Sequence, residues 1–260
     1  MKKTAVLLYD SFCNFEISPA LEILALAEKP ITIFGISKQA IRSEDGLSVI
    51  PDATIDNFDL DAYDSLILPG AMDIREAIEN KKIIDFIKKF DGKTIGAISI
   101  APLLLVRAGL LNGKPFMAGV NKEEIFEEGF SESDLAEMVG WDDNINKPIK
   151  DGYIITGNII TSISYNFVKW ALAFGKMVGI DIPAKTFGIQ QFSVYDKTML
   201  PQRRFSTIYN HTKKNLILKK VKPLHSGHMV LGVWKQKDGL EKKWVLLDLR
   251  QNKWKKYNDV

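Results

Sequence analysis

The sequence predicts an α/β fold, a parallel sheet covered by helices on both faces, followed by a small antiparallel β segment. Three observations carry this. Short apolar runs alternate with helical patterns over the first 180 residues. The central runs are apolar throughout, as strands buried on both faces are. Beyond about residue 185 the texture changes to β-branched and aromatic runs interleaved with lysine.

Each element follows from its own pattern. TAVLLY (4–9) is short and apolar enough for a buried strand, and FEISPALEILALAE (15–28) repeats apolar residues at helical spacing. ITIFGI (31–36) is a second strand, and LSVIP (47–51), after the Asp45-Gly46 turn, reads as a short edge strand. SLILP (65–69) is strand-like, and IREAIENKKIIDFIKKF (74–90) reads as one amphipathic helix. TIGAIS (94–99) leads into a helix expected over 101–111, with Asn112-Gly113 as its stop signal. KPFMAG (114–119) is a strand, and the acidic stretch that follows should form helical turns with a solvated face. YIITG (153–157) and a helix over 162–180 complete the α/β domain, expected to span residues 1–184. The basic extension, 185–260, holds three strands, NLILKKV (215–221), HMVLGVWKQ (228–236) and KKWVLLDLR (242–250). Lys237-Asp238-Gly239-Leu240 is the hairpin turn expected between the last two.

Composition narrows the function classes. The net charge of +3 hides a division, since residues 201–260 hold 15 Lys+Arg against 4 Asp+Glu and the first 200 hold 20 against 28. An acidic body with a basic tail is the asymmetry of two modules. The single cysteine, Cys13, excludes an intramolecular disulfide and a cysteine-rich zinc site, and fits a reducing, cytoplasmic location. No run approaches the length of a membrane span, and the N-terminal apolar run, broken by Asp10, is too short for a secretion signal. All three histidines (His211, His225 and His228) lie in the tail, where His225-x-x-His228 lacks the further ligands of a metal site. Neither metal nor cofactor is expected. Basic residues among Trp234, Trp244, Trp254 and Tyr257 suit a nucleic acid or an acidic partner. They suit equally a small sheet that packs its aromatics on the body.

Three loops at strand ends carry candidate chemistry, because ligands of parallel sheets gather at the carboxyl ends of the strands. The loop DSFCNFE places Cys13 and Glu16 at the start of a helix, and Pro69-Gly70-Ala71 offers backbone N–H groups. In GAISIAP (96–102), Ser99 stands where an apolar strand breaks into a helix, flanked by the small residues Ala97 and Ala101. A nucleophile on a sharp strand-to-helix turn needs such neighbours. Ser99 is then a helix cap, a nucleophile, or one wall of a ligand pocket.

The segments VLLYDSFCNFEISPALEIL (6–24), DSLILPGA (64–71), GAISIAPLLLVRAGLLNGKP (96–115) and DGYIITGNIITSISYNFVKWAL (151–172) together resemble the ThiJ/PfpI family, within the class I glutamine amidotransferase-like superfamily. The resemblance implies a flavodoxin-like fold and a homodimer. In that family the elbow bears a cysteine, a glutamate from the first loop hydrogen-bonds it, and many members add a histidine after the next strand. Those positions fall on Ser99, Glu16 and the neighbourhood of Gly119. Gly70, Ala71 and Ile100 would line the oxyanion side, and Cys13 lies near the pocket. The thiol and the histidine are both replaced, and a serine hydroxyl without an adjacent base stays protonated near neutral pH. The expected function is therefore a degenerate family member that binds a small molecule or partner without thiolate catalysis. Two alternatives stay open. One is a hydrolase or lyase-like enzyme, or a glyoxalase/deglycase-like one, using Ser99 with Glu16 or a tail histidine. The other is a ligand sensor whose basic tail binds nucleic acid or protein.

Overall fold

The computed structural model describes residues 1–188 and four strands between residues 216 and 256. The chain forms two compact units, Met1–Gln190 and Gln191–Val260. The elements of the first unit run in chain order as β1 (Lys3–Leu7), α1 (Asn14–Leu26), β2 (Ile31–Gly35), β3 (Ile41–Arg42), β4 (Ser48–Val49), β5 (Ala53–Thr54) and β6 (Tyr63–Leu68). They continue as α2 (Arg75–Glu79), α3 (Lys81–Lys88), β7 (Thr94–Ile98), α4 (Pro102–Arg107), β8 (Phe116–Met117), α5 (Lys122–Ile125) and β9 (Met138–Val139). Then come α6 (Trp141–Asn146), β10 (Ile154–Thr156), β11 (Ile159–Ser162) and α7 (Phe167–Met177).

The central sheet has the order β10-β11-β7-β6-β1-β2-β5 and is parallel except for β10, which pairs antiparallel with β11. Successive residues of a strand face opposite sides, and β1 shows what that does here. Ala5 and Leu7 join the core with Ile83, Phe86 and Leu103 from α2–α4 and their neighbours, whereas Val6 and Leu8 join Ile17, Ile23, Trp170 and Phe174 of α1 and α7. Helices thus cover both faces, as the apolar strands required. The first core is closed at one end by Phe34, Phe58, Phe86 and Phe90, with ring centroids 4.9 to 6.1 Å apart.

Five elements depart from expectation. The run 47–51 is not an edge of the main sheet: Ser48–Val49 pairs antiparallel with Ile41–Arg42, and Ala53–Thr54 forms the edge beside β2. The helix expected over 74–90 is two, because the Asn80 side chain accepts the backbone N–H groups of Lys82 and Ile83 and starts α3 afresh. The helix after Ser99 ends at Arg107 rather than at residue 111. Gly109, at φ 77°, lets the Gly109 and Leu110 N–H groups bond back to Val106 and Leu105, a glycine-closed helix end. Finally, the strand beside β7 is β11, and YIITG is the antiparallel edge outside it. KPFMAG contributes only the short strand β8, paired with β9 away from the main sheet.

The second unit holds β12 (Leu216–Pro223), β13 (Met229–Gln236), β14 (Lys242–Asp248) and β15 (Lys253–Lys256), antiparallel in that order. The turn at 237–240 and the three histidines lie outside the described residues.

Candidate functional site

Strand order reverses at β1: from it the sheet grows through β2 and β5 on one side and through β6, β7 and β11 on the other. Such a reversal opens a crevice beyond the carboxyl ends of the strands on either side of it. The loops after β1, β6 and β7 meet there, and they carry Glu16, Gly70 and Ser99.

Ser99 follows β7 with φ 61°, a left-handed conformation that costs a non-glycine residue of order 1–3 kcal/mol. The surroundings hold it there. Its N–H donates to the Ser162 carbonyl at 2.8 Å, and its own carbonyl accepts the Gly119 N–H at 2.7 Å. The cap reading fails on geometry, since α4 begins at Pro102 and its cap position is Ala101, with no side-chain capping bond. The small neighbours do what the turn needs: Ala97 and Ala101 are both fully buried.

Glu16 sits in the first turn of α1 and is 1 % exposed. Its Oε2 accepts the Gly70 N–H at 2.7 Å. A Cβ at Gly70 would stand 2.5 Å from Glu16 Oε2 and 2.8 Å from Ser99 Oγ, so any larger residue displaces one of them. The carboxylate and the hydroxyl therefore converge over one backbone atom. On the far side of the serine, a Cβ at Gly119 would lie 3.1 Å from Ser99 Oγ. Gly119, near which the resemblance implies a histidine, thus faces Ser99 without a side chain.

Burial pushes the Glu16 carboxyl up to about 7, against the lowering effect of hydrogen bonds from Gly70 and Ser99. Near neutral pH it is divided between acid and carboxylate. The buried Cys13 donates its thiol to Glu44 Oε2 at 3.1 Å, and its backbone N–H to the Gly70 carbonyl. Burial first, and then the charges of Glu16 and Glu44, raise that thiol well above its ordinary value. Cys13 is a protonated wall of the site, not a relocated thiolate. Ala71 lies beside it in an antiparallel bridge to Phe12, and Ile100 follows the serine, half-buried. Among the described residues neither the Ala71 N–H nor the Ile100 N–H has an acceptor. Donors are therefore plentiful here, and a strong base is lacking below about pH 7.

Three contributors escaped the sequence reading. Ser162 anchors the serine through its carbonyl, at the end of β11, where the sequence pattern predicts the start of a helix. Tyr9, buried at the end of β1, donates to the Pro69 carbonyl and so fixes the Gly70 turn. Glu44 arrives from the β3–β4 hairpin. Only Ser162 had a usable signal, the Gly157-Asn158 pair between two apolar runs. Among the described residues no three His, Cys, Asp or Glu side chains gather to hold a metal, and no helix is long and apolar enough to cross a membrane.

Comparison with known proteins bears on the fold and its family. A deglycase from Thermococcus kodakarensis is 27% identical over 139 residues, covering 53% of this chain and 84% of the relative. The deglycase PfpI of Pyrococcus furiosus is 31% identical over 86 residues, covering 32% of this chain and 52% of its own length. Among solved structures, a DJ-1 superfamily protein from Agrobacterium tumefaciens superposes with a TM-score of 0.60 at 19% identity, over 74% of this chain and 98% of that one. The sequence profile of the DJ-1/PfpI family matches residues 2–174, and the chain belongs to that family.

Proposed function

We propose that the Glu16–Ser99 site binds a small oxygen-rich molecule, a short carboxylic acid or carbonyl compound, without forming a covalent bond to it. The observation that carries this reading is Ser99 itself, held in the left-handed elbow with Glu16 beside it and glycine where a base would stand. The protein keeps a strained elbow and lacks the two groups that would give it thiolate chemistry. What such a geometry still offers is donors: the Ala71 and Ile100 amides, the Ser99 hydroxyl, and the Glu16 carboxyl in its protonated form. A carbonyl or carboxylate oxygen is the acceptor that matches them. A homodimer, which the resemblance implies, and a reducing cytoplasm, which the single Cys13 fits, complete the proposal.

Differential scanning fluorimetry against a panel of short 2-oxo acids, 2-hydroxy acids and aldehydes tests it. A saturable rise in melting temperature in the wild type, lost in Ser99→Leu, is the expected result. Turnover of the same compounds should stay at background and be unchanged in Ser99→Ala.

One observation favours a second reading. With its carboxyl near 7, Glu16 above that pH is a stronger base than an ordinary carboxylate, and could draw a proton from Ser99. Ester or carbonyl turnover that rises through pH 7 and vanishes in both Ser99→Ala and Glu16→Gln would establish this enzyme and end the binding-only reading. Ser99→Cys serves as a companion measurement. Mass spectrometry after iodoacetamide should then find one fast-alkylating thiol at position 99, while Cys13 stays slow.

A further inference from the structure

In an antiparallel sheet, residues directly opposite each other share a face, and successive residues alternate between faces. The pairing of the four C-terminal strands therefore sorts their residues. Val233 lies opposite Lys220 on β12 and Trp244 on β14, and Leu231 opposite Lys222 and Leu246. Lys235 pairs with Lys242, and the pairings of Leu246 with Lys255 and Asp248 with Lys253 extend the same face onto β15. One face thus carries six lysines (Lys220, Lys222, Lys235, Lys242, Lys253 and Lys255) against one acid, Asp248. They stand on the two outer strands and across one end of the inner pair, around a central block of Leu231, Val233, Trp244 and Leu246.

The opposite face is different. It holds Leu218, Val221, Trp234, Val245, Leu247 and Trp254, with Lys243 and Lys256 at its margin. A register shift between Leu218 and Lys220 makes this division. Without it, Lys220 and Lys222 would fall opposite Gly232 and Val230, on the apolar face. The bulge moves both lysines across, and leaves Lys219 unpaired.

We propose that this lysine-ringed face binds single-stranded nucleic acid, with phosphates on the outer-strand lysines and a base at the central Trp244. Charge complementarity selects a polyanion, since the face carries six positive charges and one negative. The tryptophan at its centre selects an unpaired strand, whose bases present π-faces that a duplex hides. Phosphate contacts of this kind release counterions, so affinity should fall steeply with salt, by a slope near 0.7 for each phosphate neutralised.

Fluorescence anisotropy of a labelled oligothymidylate with the full-length chain, from low to physiological salt, tests the proposal. Binding at low salt should weaken at least tenfold in Lys220→Glu/Lys255→Glu, with a shallower salt slope. Reversal of Lys243 and Lys256 on the other face should change it less than about threefold, and Trp244→Leu should weaken the single strand more than it weakens duplex. Near-ultraviolet circular dichroism and gel filtration confirm that each variant is folded. Failure to bind at low salt overturns the proposal, as does equal loss from reversing either face. Duplex DNA or an acidic peptide bound as tightly as the single strand, and unaffected by Trp244→Leu, overturns the assignment in favour of a generic anion surface.

Discussion

Two serines of the first unit share an unusual backbone and do different things with it. Ser11 and Ser99 both follow strands of the central sheet, both are half-buried, and both are left-handed, at φ 57° and 61°. At Ser11 every polar group is spent on joining loops. Its N–H donates to Arg42, its carbonyl accepts the Met72 N–H, and its hydroxyl exchanges hydrogen bonds with the backbone of Asp73. At Ser99 the backbone is spent in the same way, on Ser162 and Gly119. Its side chain instead meets a buried carboxyl over a glycine where a Cβ would crowd both. Left-handed serine is therefore not itself a mark of function. What marks a site is a hydroxyl freed from loop-building and set beside a titratable group.

The most severe way to break that contrast is to fill the glycine. Gly70→Ala places a methyl within 2.6 Å of Glu16 Oε2 and Ser99 Cβ. One of them must move, and moving Glu16 costs the buried carboxyl its amide donor. A loss of about 4 kcal/mol in denaturant unfolding is expected, with the nearby Ala71→Gly within about 1 kcal/mol of wild type. An Ala variant of normal stability would mean that the Glu16–Gly70–Ser99 contact is loose.

Next in size is proton linkage. Glu16 titrates near its ordinary 4.5 in the unfolded chain and near 7 when folded. A carboxyl whose folded value is raised binds its proton more tightly in the native state. Its stabilising contribution is complete below about 4.5 and is lost as pH climbs to about 7, where it levels off. The loss is up to about 3 kcal/mol. Glu16→Gln, which keeps an acceptor for Gly70 and cannot ionise, should flatten the curve over that window. The neighbourhood of Ser11 predicts the opposite sign. Asp73 is held down to about 2 by Arg75, so its small, solvent-screened contribution is present at neutral pH and fades only in strong acid.

The contrast also shows what a sequence displays and what it conceals. The strand ends were legible because buried parallel strands are short apolar runs, and the elbow because a tight turn demands Ala97 and Ala101 around Ser99. The edge of the sheet was misread. In IITGNIITS the turn residues Gly157 and Asn158 divide two similar runs, and only pairing with β7 decides which run lies inside. Asn80 likewise breaks a pattern that is amphipathic across it. The state of Glu16 lay out of reach, because it follows from burial by the assembled fold, opposed by hydrogen bonds from Gly70 and Ser99 far along the chain. So did the partner of Cys13, which comes from a hairpin 31 residues on. Periodicity reports local geometry; titration reports the neighbours that folding brings.

The smallest effects separate the two serines most finely. Glycine accepts a left-handed φ without the steric cost that a Cβ brings, though it gives up more entropy on folding. At position 99 the hydroxyl does no loop-building, so Ser99→Gly should be about 1 kcal/mol more stable than Ser99→Ala, which keeps the strain and loses only the oxygen. At position 11 the same relief is offset by losing the hydroxyl that bonds Asp73. Ser11→Gly should then stay within about 0.5 kcal/mol of wild type. Thermal unfolding of the three variants beside wild type measures both numbers. A Ser99→Gly protein less stable than Ser99→Ala would show that the elbow is relaxed. Its φ would then follow from the chain's path and would owe nothing to the site.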